Sequence, residues 1–240
     1  MSTPYKQLNR ARYEGHSEAA KYEGSRAKKL YSLRIARWVA RRLGRENRIL
    51  DIGGGVGHQV HLVRAMMPSL RCVAIDLAYT PLRERRTAYG MATNVQGDME
   101  QLPFGDGAFD AVCFFAALHH SPYPLKVLSE ARRILASGGS LLLVEPVSLA
   151  LRLTGRGFDA VGDGINFRFS LPFLVAQVRL AGFSVREVKT TRILLRTLGS
   201  WPRTFDPVIR LGMAVDALVL ERLPLFRQVG SIGLVWGRAV

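Results

Sequence analysis

The 240-residue chain carries only two cysteines, Cys72 and Cys113, which excludes a disulfide-built scaffold and suits a reducing compartment. Both fall inside short apolar runs and read as small core residues. No segment approaches the roughly 18 uncharged apolar residues that a membrane-spanning helix needs. The most apolar late stretch, Leu211 to Leu220, is interrupted by Asp216. The opening residues, MSTPYKQLNRARYEGHSE, hold no apolar run of the secretory type, so a cytoplasmic protein is expected. No cluster of Cys, His and carboxylates has metal-site spacing, and no metal is expected. With 48% hydrophobic and 22% charged residues, the composition excludes wholesale disorder.

Acidic residues are scarce at the two ends of the chain. The net charge of +15 divides into +9 over residues 1–48, −1 over 49–148 and +7 over 149–240. The basic character therefore belongs to the flanks of a neutral middle, where it bears on solubility and partners and not on fold.

The middle alternates strand and helix. Apolar strands are expected at Arg48 to Ile52, Arg71 to Leu77, Thr93 to Gly97, Asp110 to Phe115 and Ser140 to Glu145. Helices are expected between them at Gln59 to Met67, Pro81 to Tyr89 and Leu125 to Leu135, the last stopping at Ser137-Gly138-Gly139. Strands apolar on both faces and separated by helices predict a parallel sheet covered on both sides. Before this core, Ser25 to Leu43 is helical in pattern, with Leu30, Ile35, Trp38, Val39 and Leu43 on or near one face and Arg34, Arg37, Arg41 and Arg45 marking the other. After it, Leu149 to Asn166 should be loop or short helix, and Ser170 to Ala181 a helix capped by Ser170. Phe183 to Thr190 and Ser231 to Val240 read as strands, with a helical insertion expected over 191–229. No linker separates these parts. The expectation is one domain, 1–240, with a helical cap over 1–44, a core over 45–146 and an acceptor-side region over 147–240.

The turn after the first strand carries the chemistry. Ile49-Leu50-Asp51-Ile52-Gly53-Gly54-Gly55-Val56-Gly57-His58 lacks the third glycine of a dinucleotide fingerprint, because His58 occupies its place. No Lys-Ser/Thr pair follows, so it is no P-loop either. It fits Asp-x-Gly-x-Gly-x-Gly, from Asp51 to Gly57. A carboxylate at the strand's end would repel phosphate and attract an ammonium or a water. Asp76 ends the second strand 25 residues later, where an acidic side chain can accept a pair of hydroxyls.

Further pieces follow in order: Gly97-Asp98-Met99, Leu102-Pro103-Phe104, Phe109-Asp110, Leu118-His119-His120, and Glu130 to Leu135 before Ser137-Gly138-Gly139. Over residues 45 to 146 the chain resembles the class I S-adenosylmethionine-dependent methyltransferases, in their quinone- and natural-product-modifying branch. The resemblance implies an α/β fold with a seven-stranded, mostly parallel sheet, helices on both faces and an antiparallel last strand. It implies S-adenosylmethionine as cofactor and S-adenosylhomocysteine as product. It places Asp51, Gly53, Gly55, Gly57, Asp76, Leu77, Asp98, Met99 and Ala116 around the cofactor, with Asp98 toward the adenine amino group.

His119 and His120 follow the fourth strand, where the family's loop faces the reacting methyl. Either imidazole can accept a proton near neutral pH, and His120 is favoured over His119. His58 and His61 read as cofactor-edge or solvent-facing groups. Tyr5, Tyr13 and Tyr22 could close over the site from the N-terminal cap. Seven of the eleven phenylalanines follow residue 150, which suggests a small apolar or aromatic acceptor, with O-methylation narrowly favoured over C-methylation. The rival readings are an RNA or protein methyltransferase guided by the basic flanks, contact with a membrane surface through the arginine-faced helix, and a non-catalytic cofactor-binding protein. A homodimer is left open.

Overall fold

The computed structural model describes residues 3–14, 26–44, 48–91, 93–161, 166–191, 208, 211–212, 214–215 and 231–240. Two helices come first, α1 (Pro4–Glu14) and α2 (Arg26–Leu43). The alternating core is β1 (Arg48–Ile52), α3 (His58–Met66), β2 (Arg71–Asp76), α4 (Tyr79–Tyr89), β3 (Asn94–Gln96), β4 (Phe109–Phe115), α5 (Pro124–Ile134) and β5 (Leu135–Pro146). A 3₁₀ turn, Leu118–His120, lies between β4 and α5. Then come α6 (Leu149–Leu153), β6 (Phe158–Val161), β7 (Asn166–Phe169), α7 (Leu171–Leu180), β8 (Phe183–Thr191) and β9 (Ile232–Ala239).

The main sheet has seven strands in the order β3-β2-β1-β4-β5-β9-β8. β1 to β5 pair in parallel, while β9 runs antiparallel to both β5 and β8. The expected α/β architecture with an antiparallel last strand is therefore present. Both faces are covered because successive strand side chains point to opposite sides. Leu50, Ile52, Val112, Phe114, Leu141 and Leu143 join one buried cluster, with α5 and α7. Ile49, Ala111, Cys113 and Leu142 join the other, with Ile35, Val39 and Leu43 of α2. Arg37 and Arg41 stay exposed, as the helical pattern of α2 requires, and Gly44 ends that helix at φ 57°.

The chain leaves β1 toward β2 and β3, then returns to β4 on β1's other side. The reversal opens a crevice at the carboxyl ends of β1 and β4, the place where open α/β sheets bind ligands.

Two departures from the sequence reading have local causes. β5 begins at Leu135, directly after α5, so Ser137-Gly138-Gly139 does not separate them. The extra residues form an irregularity against β4 between Phe109 and Ala111. A Cβ on Gly139 would lie 2.9 Å from the carbonyl oxygens of Ala136 and Asp110, so only glycine fits that approach. Leu149 to Asn166 is not only loop and short helix: β6 and β7 pair antiparallel, joining Phe158 to Phe169. Phe158 stacks on Phe167 at 5.1 Å and on Phe169 at 5.9 Å, and Phe173 lies against both Phe158 and Phe169. These phenylalanines fill a core and pack on themselves. Phe205, Phe226 and Trp201 lie outside the described residues, as does most of the expected insertion over 191–229. Among the described residues no helix is long and apolar enough to cross a membrane.

Phe169 is fully buried. Its replacement by alanine is expected to cost about 3–5 kcal/mol in urea denaturation. A loss below about 1 kcal/mol would contradict its place in a packed core.

Candidate active site

The crevice holds a cavity of about 340 Å³. Its floor is the turn after β1. Gly53 and Gly54 donate their N–H groups to Ile75 O, tying the turn to β2. Gly57 has φ 78°, and a Cβ there would lie 2.5 Å from Arg85 Nη1 and 2.7 Å from Met91 Cε. Gly55, at φ 47°, has nothing within 4 Å of its missing Cβ. One glycine admits an arginine beneath the turn, and the other leaves the space above it open.

That arginine was not singled out in the sequence. Arg85, on α4, is buried, and its Nη1 donates to Asp51 Oδ2 at 2.7 Å and to Gly54 O at 3.2 Å. Nη2 contacts Cys72 Sγ at 3.3 Å. Burial raises the Asp51 pKa, against the opposing pull of Arg85. Burial, reinforced by Asp51, pushes the Cys72 thiol up to about 12, so this cysteine is not a ready nucleophile. Asp76 accepts from Gly55 N at 2.9 Å through Oδ2 and from Ala78 N at 3.0 Å through Oδ1, which fixes its carboxylate at the cavity edge.

Helix α1 crosses over the opening. Lys6 Nζ donates to Asp98 Oδ2 at 2.6 Å and to Glu100 Oε2 at 2.9 Å, and Tyr5 donates to Glu100 Oε1. Burial and then Glu100 push the Tyr5 phenol up to about 12; Asp98 and Glu100 raise Lys6 although burial opposes them. Asn9 Nδ2 donates to His120 O at 3.2 Å. At the far end Glu14 accepts from Tyr79 N, Thr80 N and Thr80 Oγ1, all within 2.9 Å.

The loop after β4 closes the site from the other side. Ala116 holds φ 56°, rare for a residue with a Cβ, and its N–H donates to Val144 O at 2.8 Å. Glu145, fully buried at the end of β5, accepts from Ala117 N at 2.8 Å and Leu118 N at 2.9 Å. Its other oxygen lies 3.0 Å from His119 Nδ1. His120 Nε2 lies 3.2 Å from the Tyr13 hydroxyl, and the two imidazoles are 4.1 Å apart.

Asp51, Gly53, Gly55, Gly57, Asp76, Leu77, Asp98, Met99 and Ala116 all line this one cavity, together with His119 and His120. Tyr5, Tyr13 and His58 line it too, while His61 stacks on Tyr89 at 4.5 Å. Tyr22 lies outside the described residues. None of Phe158, Phe167, Phe169 and Phe173 contributes to the wall of this cavity. Arg85, Glu145, Lys6, Asn9 and Gln59 escaped the sequence reading. Two had a signal: Arg85 follows Leu82 by three residues on the inner face of its helix, and Glu145 ends an otherwise apolar strand.

The cavity suits a ligand rich in donors at one end. Asn9 Oδ1, Asp51 Oδ1 and Gln59 Oε1, on side chains that line it, are buried acceptors with no hydrogen-bond partner among the described residues, and unmet buried acceptors are costly. An ammonium and hydroxyl groups would satisfy such a set, as an amino-acid end and a ribose provide.

The Glu14 contact sets a pH window for α1. Chiefly the Tyr79 N–H, helped by Thr80, lowers the Glu14 pKa from 4.5 to about 2. Its contribution to docking is therefore complete above about 4.5 and lost as pH falls toward 2. Amide-exchange protection of α1, corrected for intrinsic rates, is expected to fall across that window. It should already be reduced at pH 7 in Glu14→Gln; full protection in that variant would contradict the latch.

Comparison with known proteins agrees with this geometry. A family model described as "Methyltransferase domain" matches residues 50–143. The ubiquinone/menaquinone biosynthesis C-methyltransferase UbiE of Stutzerimonas stutzeri is 31% identical over 193 residues, covering 78% of this chain and 70% of that protein. The malonyl-[acyl-carrier protein] O-methyltransferase of Methylococcus capsulatus is 34% identical over 183 residues, covering 73% and 63%. The chain spans about half or less of the length of several other curated relatives. Among solved structures, geranyl diphosphate C-methyltransferase from Streptomyces coelicolor, determined with Mg²⁺, geranyl diphosphate and S-adenosyl-L-homocysteine, matches all of both chains at a TM-score of 0.65 and 12% identity, a likeness of fold. The glycine turn with its strand-end carboxylates, the seven-stranded sheet and the UbiE relative together establish that this chain belongs to the class I S-adenosylmethionine-dependent methyltransferases.

Proposed function

We propose that this protein transfers a methyl group to an oxygen of a small, largely apolar acceptor, with His119 as the base that takes the acceptor's proton. S-adenosylmethionine, when bound, supplies a methyl already activated by its sulfonium. Asp76 would hold the ribose hydroxyls, Asp51 with Asn9 and Gln59 the amino-acid end, and Asp98 with Met99 the adenine. Leu77, Gly53, Gly55, Gly57 and Ala116 would supply the backbone and apolar wall.

The observation that carries the choice of base is the Glu145–His119 pair. With Nδ1–H donating to Glu145, the imidazole presents Nε2 as its acceptor lone pair, and no described residue bonds to that atom. His120 instead shares Nε2 with the Tyr13 hydroxyl. His119 would take the proton of an acceptor hydroxyl as the new oxygen–carbon bond forms, and Glu145 would stabilise the resulting imidazolium. Phe115 and Tyr13, also in the lining, would supply apolar surface for the acceptor. Tyr5, Asn9 and Tyr13 on α1 would exclude water from the reacting groups. C-methylation is the second reading, favoured by the UbiE relative, a C-methyltransferase.

Two measurements test this. Calorimetry should show S-adenosylhomocysteine binding, absent for NAD, that weakens at least about tenfold in Asp76→Ala. In a labelled-methyl assay over phenolic and other apolar acceptors, His119→Ala should lower kcat by about 10²–10⁴ with cofactor affinity unchanged. Glu145→Gln should displace the pH–rate profile. Full turnover in His119→Ala with loss in His120→Ala would return the role to His120.

A further inference from the structure

We propose that Arg85 is a positioning residue for the amino-acid end of the cofactor, acting through Asp51. The proposal rests on the cofactor reading above and adds to it a residue that does not line the cavity.

Three observations converge on it. First, the guanidinium occupies one carboxylate oxygen only: Nη1 lies 2.7 Å from Asp51 Oδ2, while Oδ1, on a side chain that lines the cavity, is buried without a partner among the described residues. The carboxylate is thus held in one orientation, with its remaining acceptor reserved. Second, the glycine turn is moulded on the same group. Nη1 also donates to Gly54 O at 3.2 Å, and Cβ atoms on Gly54 and Gly57 would lie 3.1 and 2.5 Å from it. Moving the guanidinium would therefore move the turn and the carboxylate together. Third, a carboxylate this deeply buried tends to take up a proton, and burial does raise Asp51. Arg85 opposes that tendency, and only the anion attracts a ligand ammonium strongly. Cys72 on β2 lies against the pair, its Sγ 3.3 Å from Arg85 Nη2, with a thiol that burial keeps protonated.

The consequence is selective. Arg85 should matter for ligands that carry an ammonium and much less for those that end at the thioether. S-adenosylhomocysteine and 5′-methylthioadenosine share adenine, ribose and sulfur and differ in that end, so they separate a positioning role from a general loss of structure. In Arg85→Met, calorimetry is expected to show S-adenosylhomocysteine weakened about ten- to a hundredfold and 5′-methylthioadenosine within about twofold of the wild type. Arg85→Lys keeps the charge and loses the fork, so it should recover part of the difference with the same selectivity. If Arg85→Met does not fold, the comparison between the two ligands in Arg85→Lys decides. Equal weakening of both ligands, or weakening of neither, overturns the role of Arg85 and leaves the cofactor site standing. Failure of the wild type to bind either ligand overturns the cofactor reading, and this proposal with it.

Discussion

The ion pair between Arg85 and Asp51 is the contact on which the rest of the site leans. Taking two charges out of water is expensive, and the return comes only when geometry and secondary hydrogen bonds are good. Here Nη1 is shared between Asp51 and Gly54 O, and both side chains are almost wholly buried. Removing one partner of such a pair costs about 3–5 kcal/mol, because the other charge is stranded. The turn between β1 and α3 is fitted around this group, and the close approach of Arg85 at Gly57 leaves no room for a Cβ there.

Around that anchor the site repeats one device. Carboxylates stand at or just past the ends of neighbouring strands: Asp51 on β1, Asp76 on β2, Asp98 after β3 and Glu145 on β5. Each is held by a different donor set, an arginine, two backbone N–H groups, a lysine with one N–H, and two N–H groups with a histidine. The sheet reversal beside β1 brings these ends to one crevice, and α1 supplies the cationic and aromatic cover. These hydrogen bonds orient the carboxylates toward fixed partners, which is what positioning chemistry requires.

Much of this was legible in the residues. Apolar strands separated by helices announced a parallel sheet, and Asp51, Asp76 and Asp98 at strand ends announced a ligand edge. What stayed hidden depends on contacts distant in sequence. Lys6 meets Asp98 across 92 positions and Arg85 meets Asp51 across 34, and no local pattern encodes either meeting. The carboxylate that reaches His119, Glu145, lies 26 positions away, another contact that no local pattern encodes. The phenylalanines after residue 150 show what composition alone leaves unspecified: Phe158, Phe167, Phe169 and Phe173 pack on one another, and only the fold reveals those partners.

The central claim is that one cavity, floored by the Asp51–Gly57 turn and roofed by α1, holds the cofactor. A crystal structure with S-adenosylhomocysteine tests it most directly. Density is expected under α1, with the ribose on Asp76 and the ammonium beside Asp51. Density seated elsewhere, or an amino-acid end turned away from the Arg85–Asp51 pair, would contradict it.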